Sequence, residues 1–200
     1  ISAMDLAPTV LSLTQTIIPD HMQGQAFLGK QAKTPRTYVF AGRDRMDTDY
    51  DRVRTVLDTS FQYIRNYRPE LPRYQEVEYR KNIPMMKRIL SMRDSNLLNP
   101  IQLRWFEKQK PVEEFYDLKN DPFELDNLAQ NPKYEKKLAK YREVFDQWIK
   151  AVGDRSEIPE KEMVFKMWGG SEQPTTDVPT YQIINNEVKI NCTTPGASIA

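Results

Sequence analysis

Two arginines and two aspartates lie together in Gly42-Arg43-Asp44-Arg45-Met46-Asp47. They follow Thr37-Tyr38-Val39-Phe40-Ala41, a β-branched and aromatic run of strand type. A guanidinium is planar and forked, and it matches the oxygens of a carboxylate, phosphate or sulfate. At a strand end, Arg43 and Arg45 can present donors to an anionic ligand while Asp44 and Asp47 hold them in place. The same four residues can instead interlock as a structural ion-pair net. The residue types leave both readings open.

Other chemistry is poorly provided for. His21 is the only histidine, so no His-rich metal site can be built from this chain, and a lone loop histidine reads as structural or exposed. Cys192, the only cysteine, has no histidine near it in sequence and reads as a structural thiol. Asp47, Asp49 and Asp51 alternate as the first ligands of a calcium loop do. Arg52, however, stands where that loop needs Gly, and Asp58 where it needs a bidentate Glu. The seven glycines form no phosphate-cradling loop.

The elements that must position these residues follow from pattern. A helix is expected over 5–15, with Pro8 in its first turn, and strands over 37–41, 51–58, 61–67 and 113–118. On the third of these segments, Phe61, Tyr63, Arg65 and Tyr67 share one face, and Gln62, Ile64 and Asn66 the other. Residues 69–110 read as an irregular excursion between strands, with helical stretches at 85–92 and 100–106. A helix over 132–152 is the clearest element, capped by Asn131 and ended by Gly153. Its Tyr134, Leu138, Tyr141, Phe145, Trp148 and Val152 recur at helical spacing, which makes one core-facing stripe. A composition change after Trp168 marks a linker over 169–179. The segments 181–184 and 188–193, joined through Asn185-Asn186, read as a β-hairpin.

The 200 residues carry 29 Lys and Arg against 28 Asp and Glu, which excludes a polybasic nucleic-acid binder. Residues 36–110 hold 16 basic against 10 acidic side chains, so the excess of positive charge sits around the Arg-rich strand end. No apolar run approaches the roughly 18 residues of a membrane span, and neither a membrane nor a nucleic acid is expected as partner. The chain opens in an apolar helix-like run and stops just after a β-like one, so it is expected to be a piece of a longer polypeptide.

Three segments then resemble a known family. Ser2-Ala3-Met4-Asp5-Leu6-Ala7-Pro8-Thr9 with Pro19-Asp20-His21-Met22-Gln23-Gly24-Gln25-Ala26-Phe27-Leu28 is similar to a late catalytic-domain segment of sulfatases. Phe115-Tyr116-Asp117-Leu118-Lys119-Asn120-Asp121-Pro122-Phe123-Glu124-Leu125-Asp126-Asn127-Leu128-Ala129 resembles the strand and turn before their C-terminal helix. With Gly42 to Asp47 and Tyr63-Ile64-Arg65-Asn66-Tyr67, the likeness is to bacterial sulfatases of the heparan N-sulfatase-like (N-sulfoglucosamine sulfohydrolase-like) group, over residues 1 to about 166. More weakly, Gly196-Ala197-Ser198-Ile199 resembles the start of an immunoglobulin-like module.

The resemblance implies an α/β, alkaline-phosphatase-like fold, of which this chain is the α+β C-terminal subdomain: a small antiparallel sheet with a packed long helix. It divides the chain into the end of the catalytic domain (1–35), the subdomain (36–168), the linker (169–179) and the start of a truncated β module (180–200). It implies a sulfatase acting on sulfate esters or N-sulfates of a sulfated glycan such as a glycosaminoglycan. The nucleophile would be a formylglycine made from a Cys/Ser-x-Pro-x-Arg motif, its hydrated aldehyde attacking sulfur beside a calcium ion. That motif is absent here, since Cys192-Thr193-Thr194-Pro195 has its proline one place too late. Formylglycine and calcium are therefore expected in an N-terminal sulfatase domain upstream, with the segment alone inactive and the protein periplasmic or secreted. Within the segment, Arg43 and Arg45 would contact a carboxylate or second sulfate, Asp44 and Asp47 would orient them or accept sugar hydroxyls, and His21 joins these as a substrate contact. The alternatives are a phosphodiesterase or phosphatase of the same superfamily, and a non-catalytic glycan-binding piece.

Overall fold

The computed structural model describes residues 1–46 and 48–194, and the chain divides into two units after Asp154. The first unit opens with a 3₁₀ turn, Ala3–Asp5, running into α1, Leu6–Leu13. Asp5 is buried and accepts the amides of Ser2 at 2.8 Å and Gln25 at 3.0 Å, so one carboxylate ties the helix start to the loop that follows it. Burial pushes that carboxyl up, but these amides and the Arg36 guanidinium outweigh burial and hold it low.

Four strands form one antiparallel sheet in chain order: β1 (Val39–Arg43), β2 (Val53–Leu57), β3 (Phe61–Asn66) and β4 (Glu113–Asp117). Arg43 is thus the last residue of β1 rather than the start of the loop. At the β2–β3 turn the Asp58 carboxylate accepts the amides of Ser60 at 2.7 Å and Phe61 at 2.9 Å. A short acidic side chain thereby closes the turn, as Asp does where it can bond its own chain two residues on. Between β3 and β4 the excursion folds into α2 (Glu78–Lys81), α3 (Pro84–Asp94) and α4 (Pro100–Leu103).

The helix α5, Glu135–Val152, covers one face of the sheet. The Asn131 side chain caps the preceding 3₁₀ turn through the Lys133 amide at 3.1 Å, and Gly153 ends α5 with φ of 61°, where a Cβ would be strained. Leu138, Tyr141 and Phe145 are buried against Val56, Phe61, Tyr63 and Phe115. Each such side chain contributes about 1.5–3 kcal/mol by leaving water. Trp148 is half-buried and stacks on Phe40 with ring centroids 4.8 Å apart. Val152 ends the stripe at the surface, 41% exposed.

The second unit contains α6, Glu160–Trp168, and the hairpin β5 (Thr180–Ile184) and β6 (Glu187–Asn191). Asn185 and Asn186 turn it with φ of 52° and 66°, the pair of positive φ values that a two-residue hairpin loop requires. Gly196-Ala197-Ser198-Ile199 lie outside the described residues.

Candidate functional site

Alternate residues of a strand point to opposite faces, and this separates the residues of the Arg-rich strand end. On the α5 side, the register aligns Gly42, Arg54, Arg65 and Glu113 across the four strands. This row is ionic, directly beside the apolar row Phe40, Val56, Tyr63 and Phe115. Arg65 reaches Asp146 of α5 at 2.8 Å, and Arg142 of α5 engages Glu113 with both nitrogens of its fork. Arg54 is buried and meets two carboxylates edge-on: Asp44 at 2.9 and 3.0 Å, and Asp154 at 3.1 Å twice. Gly42 leaves room for it, since a Cβ there would come within 2.9 Å of the Arg54 guanidinium. Asp44 therefore holds Arg54, a residue 10 positions on, with both of its oxygens.

Arg43 lies on the other face. Its guanidinium donates to Asp51, which is fully buried and also accepts two hydrogen bonds from Lys110 Nζ, at 2.8 and 2.7 Å. One buried carboxylate thus serves two cations and leaves the trio with a net positive charge. Lys110 is sealed in, whereas the Arg43 side chain is 41% exposed. The exposed end of the trio is the Arg43 guanidinium.

Arg43 borders a cavity of about 500 Å³ on this face, floored by Val53, Thr55, Gln62, Ile64 and Asn66. Side chains from the excursion and from the turn after β4 close its far side. Beneath it, Glu114 accepts Asn66 at 2.7 Å and Arg73 at 2.6 Å, and also the Tyr116 hydroxyl. Burial, then the bond to Glu114, raises the Tyr116 pKa and keeps that hydroxyl a donor.

The sequence candidates fall as follows. Arg43 is at this cavity, and Asp44 is committed on the α5 side. Arg45 is exposed in the loop after β1. Asp47 lies outside the described residues. His21 is exposed in the loop after α1 and lines neither this cavity nor the one adjoining it. Asp51, which the sequence offers only as part of the Asp47, Asp49 and Asp51 alternation, pairs instead with Lys110, a partner 59 positions away that carries no local signal. Among the described residues, no group of three or more His, Cys, Asp or Glu is placed to hold a metal ion.

Comparison with known proteins supplies the family. No protein-family model matches the chain. An ulvan-active sulfatase of Formosa agariphila is 46% identical over 200 residues, all of this chain and 34% of the relative. This chain corresponds to the C-terminal part of bacterial sulfatases. A second ulvan-active sulfatase of that organism is 28% identical over 164 residues, 75% of this chain and 29% of its own length. A solved 2-O GAG sulfatase superposes with a TM-score of 0.51 at 23% identity, over 78% of this chain and 26% of its own. This chain is accordingly the small antiparallel sheet with packed helices of the alkaline-phosphatase-like α/β fold, as the resemblance implied. It spans about a third of the curated relatives it matches.

Proposed function

We propose that the whole protein removes sulfate groups from a sulfated glycan, and that this segment completes the fold and contacts the substrate beside the reacting sulfate. The observation that supports this reading most is the 46% identity, over all of the chain, to an ulvan-active sulfatase. Formylglycine and calcium belong in this proposal to the N-terminal part. The residues here supply neither the Cys/Ser-x-Pro-x-Arg motif nor a metal-binding group among the described residues, so no chemical step is assigned to them.

Arg43 is the residue of this segment best suited to an anion. Its contact with Asp51 tethers one end of the guanidinium, and Lys110 offsets the charge of that anchor. A tethered, half-exposed guanidinium binds a sulfate or carboxylate with little loss of side-chain freedom. Arg45 in the adjoining loop would add a second donor group. A glycan processed this way would be met in the periplasm or outside the cell.

The test is sulfate release. The full-length protein, incubated with ulvan or a sulfated glycosaminoglycan, should liberate inorganic sulfate measurable by ion chromatography, and the 200-residue segment alone should not. Turnover of phosphate diesters without sulfate release would favour the phosphodiesterase alternative and overturn this one.

A further inference from the structure

A second cavity, of about 600 Å³, adjoins the one at Arg43 and shares Arg73, Trp105, Tyr116, Phe123 and Glu124 with it. Its charges differ from those at Arg43. Arg73 and Arg104 face three carboxylates, Glu107, Glu124 and Asp126. Arg73 is already bound to Glu114 at 2.6 Å, and Arg104 donates to the Leu125 carbonyl. A lining with more carboxylates than cations repels sulfate and uronate groups.

Its aromatic groups are placed for stacking. Phe123 is 81% exposed and Trp105 36% exposed, so both rings offer surface to a ligand in the cleft. Trp105 is nevertheless fixed: its carbonyl accepts the Tyr74 amide at 3.1 Å, and its ring packs edge-on against Tyr74 with centroids 5.4 Å apart. Glu124 is half-buried, and among the described residues no group donates to its carboxylate. Its neighbour Glu114 is, by contrast, fully engaged by Asn66, Arg73 and Tyr116. The backbone of Glu124 has φ of 55°, a conformation that costs a non-glycine residue free energy and that ligand clamps often hold.

A pyranose ring has apolar C–H faces that stack on aromatics and hydroxyls that donate to carboxylates. Resting on the glycan reading above, we propose that the cleft at Trp105, Phe123 and Glu124 is a subsite for an uncharged sugar unit of the same glycan. Trp105 and Phe123 stack on the ring, and Glu124 accepts its hydroxyl hydrogen bonds. Arg43, lining the cavity that shares this wall, takes the neighbouring anionic unit. The segment would then read two consecutive units of unlike charge.

The experiment measures binding without turnover. Calorimetric titration of the full-length protein with desulfated, uncharged oligosaccharides from the polysaccharide it degrades should show binding that changes little between low and high salt. Trp105→Ala and Glu124→Gln should each weaken it about tenfold, the loss expected from a stacking contact or a charge-assisted hydrogen bond. Phe123→Ala, at a ring that contributes little to the core, should do likewise with an unchanged urea midpoint. Failure of the intact protein to bind, or equal binding by all three variants, overturns the subsite. So does binding confined to sulfated oligosaccharides with a steep salt dependence. Because no sulfate release is required, a negative result here leaves the sulfatase reading standing, and the absence of sulfatase activity leaves this proposal testable.

Discussion

Asp51 and Lys110, 59 positions apart, are both sealed from solvent and joined by two hydrogen bonds, at 2.8 and 2.7 Å. Lys110 is the last residue of the excursion over 69–110, so this ion pair pins that segment to the start of β2 beside Arg43. Lys110→Met should cost about 1.5–3 kcal/mol, because it removes both Lys110 hydrogen bonds from a buried carboxylate that keeps its ion pair with Arg43. Asp51→Asn added to that variant should recover part of the loss, since an uncharged pair need not be compensated. Urea unfolding of the single and double variants measures both, and additive losses would show that the two residues act independently.

Trp148 stacks on Phe40 at 4.8 Å and tilts against Phe145, yet keeps some surface in water. Trp148→Ala should therefore cost about 2–3 kcal/mol, below the range for a fully enclosed tryptophan. A denaturant melt decides the value. A loss under about 1 kcal/mol would mean that α5 is held to the sheet by Leu138, Tyr141 and Phe145 alone.

The Asp58 carboxyl sits below the usual range. Burial raises it, but the Tyr141 hydroxyl at 2.6 Å and the amides of Phe61 and Ser60 prevail. A carboxyl whose pKa is depressed by folding stabilises the fold above its unfolded value of about 3.9, and that contribution disappears as pH falls through the folded value. Stability measured from pH 6 to pH 2 should decline less steeply below about pH 4 in Asp58→Asn than in the parent. Parallel curves would show that Asp58 is not titrating differently in the two states.

The sheet was legible because β3 carries alternation strong enough to assign both faces, with Phe61 and Tyr63 under α5 and Gln62, Ile64 and Asn66 on the cavity side. The α5 helix was legible from its stripe and its two ends, Asn131 and Gly153. Periodicity misses the helix α6, although Pro159 before it, Glu160 and Glu162 in its first turn and Gly169 at φ of 71° are ordinary helix-end signals. It is short, and its apolar residues make no clear stripe. At the site, the Arg-rich strand end was visible but its partners were not. Strand alternation sends Arg43 to one face and leaves Asp44 with Arg54, while Asp154 meets Arg54 from 100 positions away. The choice that the sequence left open, between an ion-pair net and an anion site, divides residue by residue. Asp44 is committed to the net, and Arg43 is anchored in it yet reaches the cavity.

The central claim, that this segment recognises the glycan while the sulfate chemistry lies elsewhere, is tested most directly by Arg43 in the full-length enzyme. Arg43→Ala should lower kcat/KM for a sulfated oligosaccharide by about 10- to 150-fold, the kinetic equivalent of a lost charge-assisted contact of about 1.5–3 kcal/mol. It should leave kcat/KM for a small aryl sulfate nearly unchanged, because that substrate does not extend to β1. Arg43→Lys, which keeps a cation beside Asp51, serves as the folding control and should keep the parent's melting midpoint. Equal losses on both substrates in a stably folded variant, or no loss on either, would contradict the account.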